Sequence, residues 1–408
     1  MSKKKRTTLK DFLKDKLSDS KISLVNRSFE IVGDIAIIEI PQELDSKSKV
    51  IADALLQVNK NIKTVLKKSG IHSGEFRTQN LVYVAGEDKK ETIYKESGIK
   101  LKINPETVYF SPRLSTEREN LMTHLDEKRV LVMFSGSGPY SFVALKKQPD
   151  LKRILSIEIN PQGHKYALEN KKLNKNLVKK SKLFKDIRQF LKSNNLPFYE
   201  KKLIDIFNDL FVNFICGDVR EVVQDIRLKE YDEKVYETEN YLFNGKAEDI
   251  FYKLKINNEG TLFVDLNQNV SSDYFIYFLI IFSSKYNYVI KTGDKWYVFK
   301  DNYSKGVLIN YLMGDCDINR VDLYDEIYMP LPKDASNFLD TVFEIADTHA
   351  IVHMYDFVHE NEYPILTEEK VLRASQKHSK RVEIIETRKV GQYSPRKYRV
   401  CCDFKILD

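Results

Sequence analysis

Four points along the chain carry residue types suited to gripping an adenosine-bearing cofactor. The turn Ser135-Gly-Ser-Gly-Pro139 sets Gly136 and Gly138 behind an apolar run, where two glycines let the backbone approach a ligand closely. Glu158, in Glu158-Ile-Asn-Pro161, closes the next apolar run and is placed to accept hydrogen bonds from a ribose diol. Asp218, in Gly217-Asp218, follows the third run and can take a donor such as an adenine amino group. The tight turn Pro330-Leu-Pro332 ends the fourth. A lone Gly-x-Gly is mostly just a turn, and an acid ending the second strand suits NAD equally well. Their order favours a cofactor site, because an open α/β sheet presents ligands at the carboxyl ends of its strands. The third glycine of GxGxxG is missing, since Tyr140-Ser141 follows Gly138. That lowers the NAD reading and raises S-adenosylmethionine.

Two further clusters precede that region. Ser73-Gly-Glu-Phe-Arg77 is a loop with an acid and an arginine. Ser111-Pro-Arg-Leu-Ser-Thr-Glu-Arg118 opens a helix, with Ser115 or Thr116 as N-cap and Glu117 and Glu119 in or near the first turn. Read blandly, Glu117 only complements the helix dipole and Arg113 pairs with a neighbour.

The elements that must position these groups fall into two grammars. The first is a small α+β unit. A polar helix at about Leu9–Leu17 leads to Ser28–Ile40, two β-rich runs broken at Gly33-Asp34 as in a hairpin. Ile51, Leu55, Val58, Ile62 and Val65 recur at helical spacing and predict one helix over about Ser46–Lys68. Strands are expected at Leu81–Ala85, Glu91–Lys95, Ile99–Ile103 and Val108–Phe110. From about Arg129, strands alternate with helices, the mark of a parallel sheet. These strands are Val130–Phe134, Arg153–Ile159, Val212–Cys216, Glu326–Met329 and Ala350–Phe357, with a helix at Ala335–Ala346. Arg381–Thr387 and Tyr398–Phe404 could close the sheet as an antiparallel pair. Two stretches interrupt the rhythm. Asn176–Phe211 adds basic helical material, and about Gln224–Leu323 reads as an inserted subdomain holding Trp296.

Composition narrows the class. With 408 residues, 42% hydrophobic and 12% aromatic, the chain can build a sizeable core, which excludes global disorder. The longest apolar run, Tyr274–Phe282, is too short to span a membrane. The N-terminus lacks an apolar signal segment, and the four cysteines have neither CxxC nor Cys/His ligand spacing. The expectation is a soluble, reduced, cytoplasmic protein with no membrane partner and no protein-bound metal; His72, His124, His349, His353 and His359 are read as structural. The net charge of +7 permits an anionic partner. Lysines crowd Lys171–Lys185, and Arg388, Lys389, Arg396, Lys397 and Arg399 gather near the end; such clusters suit a phosphate backbone or are simply solvated faces.

Eight motifs then occur in one order: GEFR (Gly74–Arg77), VAGE (Val84–Glu87), VYFSPRLSTER (Val108–Arg118), FSGSGPYS (Phe134–Ser141), EINP (Glu158–Pro161), GDVREV (Gly217–Val222), MPLPKDASNFLD (Met329–Asp340) and YSPRKYRVCCDFKI (Tyr393–Ile406). Through them the chain resembles the archaeal and eukaryotic tRNA (guanine-37-N1)-methyltransferases, over roughly Thr7–Val223 and Asp325–Ile406. The resemblance implies a class I S-adenosylmethionine-dependent, Rossmann-like domain at 111–408, interrupted at about 224–323. An N-terminal α+β domain at 1–110 would position RNA. It implies methyl transfer to N1 of guanosine 37, with tRNA as partner, a monomeric state, and Mg²⁺ assistance for which no site is marked. By the same match Glu117 resembles the general base and Arg77 the group that steadies O6. Arg118, Phe134, Gly136, Gly138, Glu158, Ile159, Asp218, Val219 and Pro330 would hold the cofactor, and Tyr109, Arg113 and Pro332 would meet the target nucleotide.

The chain also departs from the family pattern. Pro330 stands where many members have Asn, and Val132 where an Asp is common. An N-terminal module that helps some archaeal members read the tRNA elbow is expected to be absent, and the insert could replace it. The rival within enzymes is a wyosine-pathway transferase of the cofactor's aminocarboxypropyl group, which Ser111–Leu114 speaks against. The rival outside enzymes is a tRNA-binding protein that kept the fold, against which the joint presence of Glu117, Arg77, Glu158 and Asp218 argues.

Overall fold

The computed structural model describes residues 8–225 apart from 27, 71–73, 75, 126–127 and 194–198, separate stretches between 229 and 312, and residues 323–408 apart from 331–334. The N-terminal hairpin forms as the Gly33-Asp34 break predicts: β1 (Glu30–Val32) pairs antiparallel with β2 (Ile35–Ile38). Gly33 takes φ +58, and a Cβ there would lie 2.2 Å from the Thr92 hydroxyl, so the turn requires glycine. The helix that follows stops at Val58, ten residues short of the expected Lys68. Asn59 ends it, and its side chain accepts from the Asn61 amide in a tight turn. Thr64–Lys68 is instead β3, parallel to β2, and Val65 is buried from a strand. Its β-branched Thr64-Val65 start suits a pleated surface better than a helix continuing past two asparagines. β4 (Leu81–Gly86) completes a four-stranded sheet whose helix-facing core includes Ala36, Ile38, Ile51, Leu55 and Val65.

A second hairpin, β5 (Thr92–Glu96) and β6 (Ile99–Ile103), turns at Ser97 and Gly98, both with positive φ. The strand expected at Val108–Phe110 does not form; the Thr107 and Val108 amides turn back onto the Asn104 carbonyl. Pro112–Leu114 then makes a single 3₁₀ turn leading into the helix Ser115–Leu121.

The larger sheet has seven strands. In chain order they are β7 (Arg129–Met133), β8 (Arg153–Glu158), β9 (Val212–Cys216), β10 (Tyr324–Met329), β11 (Ala346–His359), β12 (Val382–Ser394) and β13 (Lys397–Ile406). Across the sheet they run β12-β13-β11-β10-β7-β8-β9. β9, β8, β7, β10 and β11 are parallel, and β13 is antiparallel to both β11 and β12. This is a doubly wound, Rossmann-like plan, with its strand order reversing between β7 and β10. β7 and β8 are buried along their whole length, as a parallel strand covered on both faces must be. Arg129 fastens the start of β7 to β10 and β11: its Nε donates to Asp325 Oδ2 at 2.8 Å and its Nη2 to Asp347 Oδ2 at 2.5 Å.

Between Lys175 and Phe211 the expected extra helices appear at Lys182–Ser193 and Glu200–Phe211. The region expected as an insert builds its own six-stranded sheet, with Thr261–Asp265 parallel to Asn287–Thr292 at its middle, and then the helix Asn302–Leu312. Of the apolar run Tyr274–Phe282, only Ile280 lies within the described residues. Contacts divide the chain into Met1–Leu121 with Gly136–Val143 and Ile159–Asn174 as one unit, and the remainder as the other.

Candidate functional site

In the unit built on the large sheet, four expected site residues sit where parallel strands end. Phe134 leaves β7 with φ +57, its ring edge-on to Phe338 at 4.7 Å. Glu158 is the last residue of β8 and is only 8% exposed, while its carbonyl accepts from the Gly217 amide at 3.0 Å. Asp218 follows β9 and starts the helix Val219–Asp225, so Val219 is its first helical residue and is buried. Pro330 follows β10 and is buried; Pro332 lies outside the described residues, as does His72. The topology therefore brings Phe134, Glu158, Asp218 and Pro330 to one edge of adjacent strands, the edge at which doubly wound sheets bind ligands.

Asp218 is already engaged. Its Oδ1 accepts the Arg220 amide at 2.8 Å and Nε at 3.0 Å, and Arg220 lies over the Phe338 ring at 5.0 Å. Arg220, through that side-chain hydrogen bond, holds the Asp218 carboxyl below the usual carboxylate range. An adenine amino group would have to share this carboxylate with Arg220.

The other unit holds the remaining candidates. Gly136 and Gly138 have φ +56 and +85, conformations that L side chains rarely adopt. A Cβ on Gly136 would stand 3.7 Å from the Tyr109 carbonyl, which puts Tyr109 against the glycine turn. Asn170, fully buried, donates to the Ser137 carbonyl at 3.0 Å and the Lys102 carbonyl at 3.1 Å, tying the turn and β6 to the helix Pro161–Asn174. Ile159 and Asn160 lead into that helix, and Asn160 donates to the Thr107 carbonyl at 2.8 Å. The Ser137 hydroxyl here, and that of Ser135 at the end of the large-sheet unit's segment, are buried without a hydrogen-bond partner among the described residues. An unpartnered buried hydroxyl is costly unless a ligand or water satisfies it, so each is suited to a bound polar group.

Glu117 is half-buried in the first turn of the helix Ser115–Leu121. Arg113 is exposed, its guanidinium 3.9 Å from Glu30. Arg77 closes the turn from Gly74 with φ +50 and is half-buried. Arg118, expected to hold the cofactor, is 1% exposed, and its Nε and Nη2 donate to the two carboxylate oxygens of Glu96 at 2.8 and 2.6 Å. Its Nη1 donates to the Ser111 carbonyl at 3.2 Å, and its guanidinium lies over Phe110 at 5.1 Å and Tyr140 at 5.8 Å. A guanidinium so enclosed is a structural clamp.

Two buried ion pairs escape a reading of the sequence. Glu96 is one acid in a charged hairpin, with no spacing rule to mark it. His353, read as structural, is the centre of a buried ion network: Nε2 meets Glu326 at 2.7 Å, Nδ1 meets Asp403 at 2.8 Å, and Arg388 pairs with Asp403. Cys401 donates to Asp403 at 3.3 Å, so His353, Cys401 and Asp403 have the proximity of metal ligands. Both ring nitrogens are already taken by carboxylates, and the set reads as an ion network.

Residues 92–204 match the TRM5/TYW2 methyltransferase domain and residues 9–89 the TYW2 N-terminal domain. Over 149 residues, 36% of this chain and 44% of the relative, it is 46% identical to the tRNA (guanine(37)-N(1))-methyltransferase Trm5b of Pyrococcus abyssi. The aligned region thus spans less than half of that relative. Over 381 residues, 93% of this chain and all of the relative, it is 27% identical to the tRNA (guanine(37)-N(1))/4-demethylwyosine(37)-methyltransferase Taw22 of Nanoarchaeum equitans. Among solved structures, that of Pyrococcus abyssi Trm5b shares the fold with a TM-score of 0.59 at 24% identity, covering 100% of this chain and 82% of that one. Among the described residues no helix is long and apolar enough to cross a membrane. With its ordered motifs, its strand plan and these matches together, the chain carries a TRM5/TYW2 methyltransferase domain and is a homologue of the Trm5-type tRNA (guanine-37-N1)-methyltransferases of archaea and eukaryotes.

Proposed function

We propose that this protein transfers a methyl group from S-adenosylmethionine to N1 of guanosine 37 in tRNA. The observation that carries the reading is the SPRLSTER segment, Ser111–Arg118, folded as a clamped helix start that presents Glu117 in a domain of this family. Guanine N1 bears a proton at neutral pH. Glu117 would take that proton while the Arg77 guanidinium compensates the charge developing on O6. The cofactor supplies an electrophilic methyl group when bound. In the unit built on the large sheet, the residues suited to hold it are Phe134, Ser135 with its unpartnered hydroxyl, Glu158, Asp218 with Val219, and Pro330; in the other unit they are the Gly136–Gly138 turn with the unpartnered Ser137 hydroxyl, and Ile159. Transfer to N1 is an in-line displacement, so its rate rests mainly on positioning. The target base is stacked in the anticodon region and must be turned out of it, which suits a basic, partly aromatic surface such as that bearing Tyr109 and Arg113.

A second reading is specific. The full-length alignment with Taw22, whose name includes 4-demethylwyosine 37, supports methylation of a wyosine precursor at the same nucleotide. The test is transfer of labelled methyl from S-adenosylmethionine to an unmodified tRNA transcript, beside the same transcript with A at position 37 and one carrying 4-demethylwyosine. Label on the G37 transcript alone bears out the first reading, and label on the modified tRNA as well supports the second. Cofactor binding with no label on any tRNA refutes both and directs attention to aminocarboxypropyl transfer.

A further inference from the structure

The pair Glu96–Arg118 lies one residue from Glu117 and joins three segments of one unit. Glu96 ends β5 at the hairpin turn and is 8% exposed. Both its carboxylate oxygens receive Arg118, on the helix that carries Glu117, at 2.8 and 2.6 Å. The next residue in the same turn, Ser97, donates its hydroxyl to Glu119 Oε2 at 3.0 Å. The hairpin turn therefore grips the helix Ser115–Leu121 at 118 and 119, immediately after the residue read as the base. Arg118 passes the constraint on in two directions: to the Ser111 carbonyl, which fixes the Pro112–Leu114 turn, and to the Tyr140 ring, which belongs to the segment after Gly138. Tyr94, two residues before Glu96, packs edge-on at 4.9 Å against Phe110, the ring over which Arg118 lies. A bidentate Arg–carboxylate pair fixes orientation as well as distance, which a single hydrogen bond does not.

We propose that Glu96 is a positioning residue for methyl transfer: with Ser97 it sets, through Arg118 and Glu119, the orientation of the helix turn that presents Glu117. This rests on the reading of Glu117 as the base. A group displaced by about 1 Å from its reacting geometry can lose on the order of a hundredfold in rate. Glu96→Gln keeps the shape, removes the charge and one acceptor, and leaves the Arg118 guanidinium incompletely paired, so a fall of about ten- to a hundredfold in kcat is expected. KM for tRNA and Kd for S-adenosylmethionine should each move less than about threefold, because the defect lies in alignment.

The experiment is a double-mutant cycle on the full chain, measured as labelled methyl transfer at saturating substrates, with Glu96→Gln, Glu117→Gln and both together. If Glu96 acts through Glu117, its substitution costs about ten- to a hundredfold in the native background and little or nothing in the Glu117→Gln background. A purely structural role would cost the same in both, and that additive result overturns the proposal. So does an unchanged kcat in Glu96→Gln. A Glu117→Gln rate equal to the native one overturns the base assignment, and with it this proposal, in a way the other results do not. Should Glu96→Gln not fold, as judged by circular dichroism, Ser97→Ala loosens the second grip alone. It is expected to lower kcat several-fold with the same non-additivity, and an additive fall or none would overturn the proposal.

Discussion

Raising the pH should weaken this protein through one imidazole. His353 lies between Glu326 and Asp403, with its ring stacked on Tyr328 at 4.5 Å and Arg388 on the Asp403 carboxylate. Burial alone would lower its pKa, but the hydrogen-bonded carboxylates of Asp403 and Glu326 outweigh it and lift the value from 6.5 to about 9. The folded state thus holds this proton more tightly than the unfolded chain. The resulting stability is fully present below about pH 6.5 and is lost as the pH rises through about 9. The interval corresponds to about 3 kcal/mol at 1.36 kcal/mol per pH unit, of which about 2 kcal/mol goes between pH 7 and pH 9. The window closes there because Cys402, pushed up to about 11 by burial, adds a loss in the same direction at higher pH. The assay is urea unfolding followed by circular dichroism at pH 6, 7, 8 and 9, with the slope against urea required to stay constant. His353→Gln leaves the buried Glu326 carboxylate without its cation and Asp403 with Arg388 alone. It should cost about 3–5 kcal/mol at pH 7 and flatten the pH dependence between 7 and 9. Parallel losses in the native protein and the variant would refute a protonated His353.

Glu117→Gln is expected to lower kcat by about a hundred- to ten-thousandfold with the Kd for S-adenosylmethionine unchanged, as measured by single-turnover methyl transfer and calorimetry. Arg77→Ala should behave alike, and native rates in both variants would cancel the site assignment. Gly136→Val forces a side chain into φ +56 and should weaken cofactor binding about tenfold or more, with equilibrium dialysis as the check. Arg129→Met strands Asp325 and Asp347 and should cost about 3–5 kcal/mol at neutral pH by thermal unfolding. Burial works to raise the Asp325 pKa, and the Arg129 hydrogen bond prevails in lowering it. That contribution is therefore lost as the pH falls through the lowered value, so native and variant should converge in acid.

The residues alone determined much of this molecule. The strand–helix alternation from Arg129, the Gly33-Asp34 hairpin, and the strand ends carrying Phe134, Glu158 and Asp218 follow from local periodicity and turn chemistry, which act over a few residues. The helix expected through Lys68 did not hold, because Ile62 and Val65 satisfy a helical count yet Thr64–Lys68 gains more by adding a parallel strand to β2. Such pairing between distant segments carries no local sign. Nor does partner choice among charges. Arg118, read as a cofactor ligand, is locked to Glu96 twenty-two residues away, and His353 is charged because strands β10 and β13 each bring it a carboxylate. The identity of a side chain sets what it can bond. Which atom it meets, and whether water is there to compete, is decided only when the chain has folded.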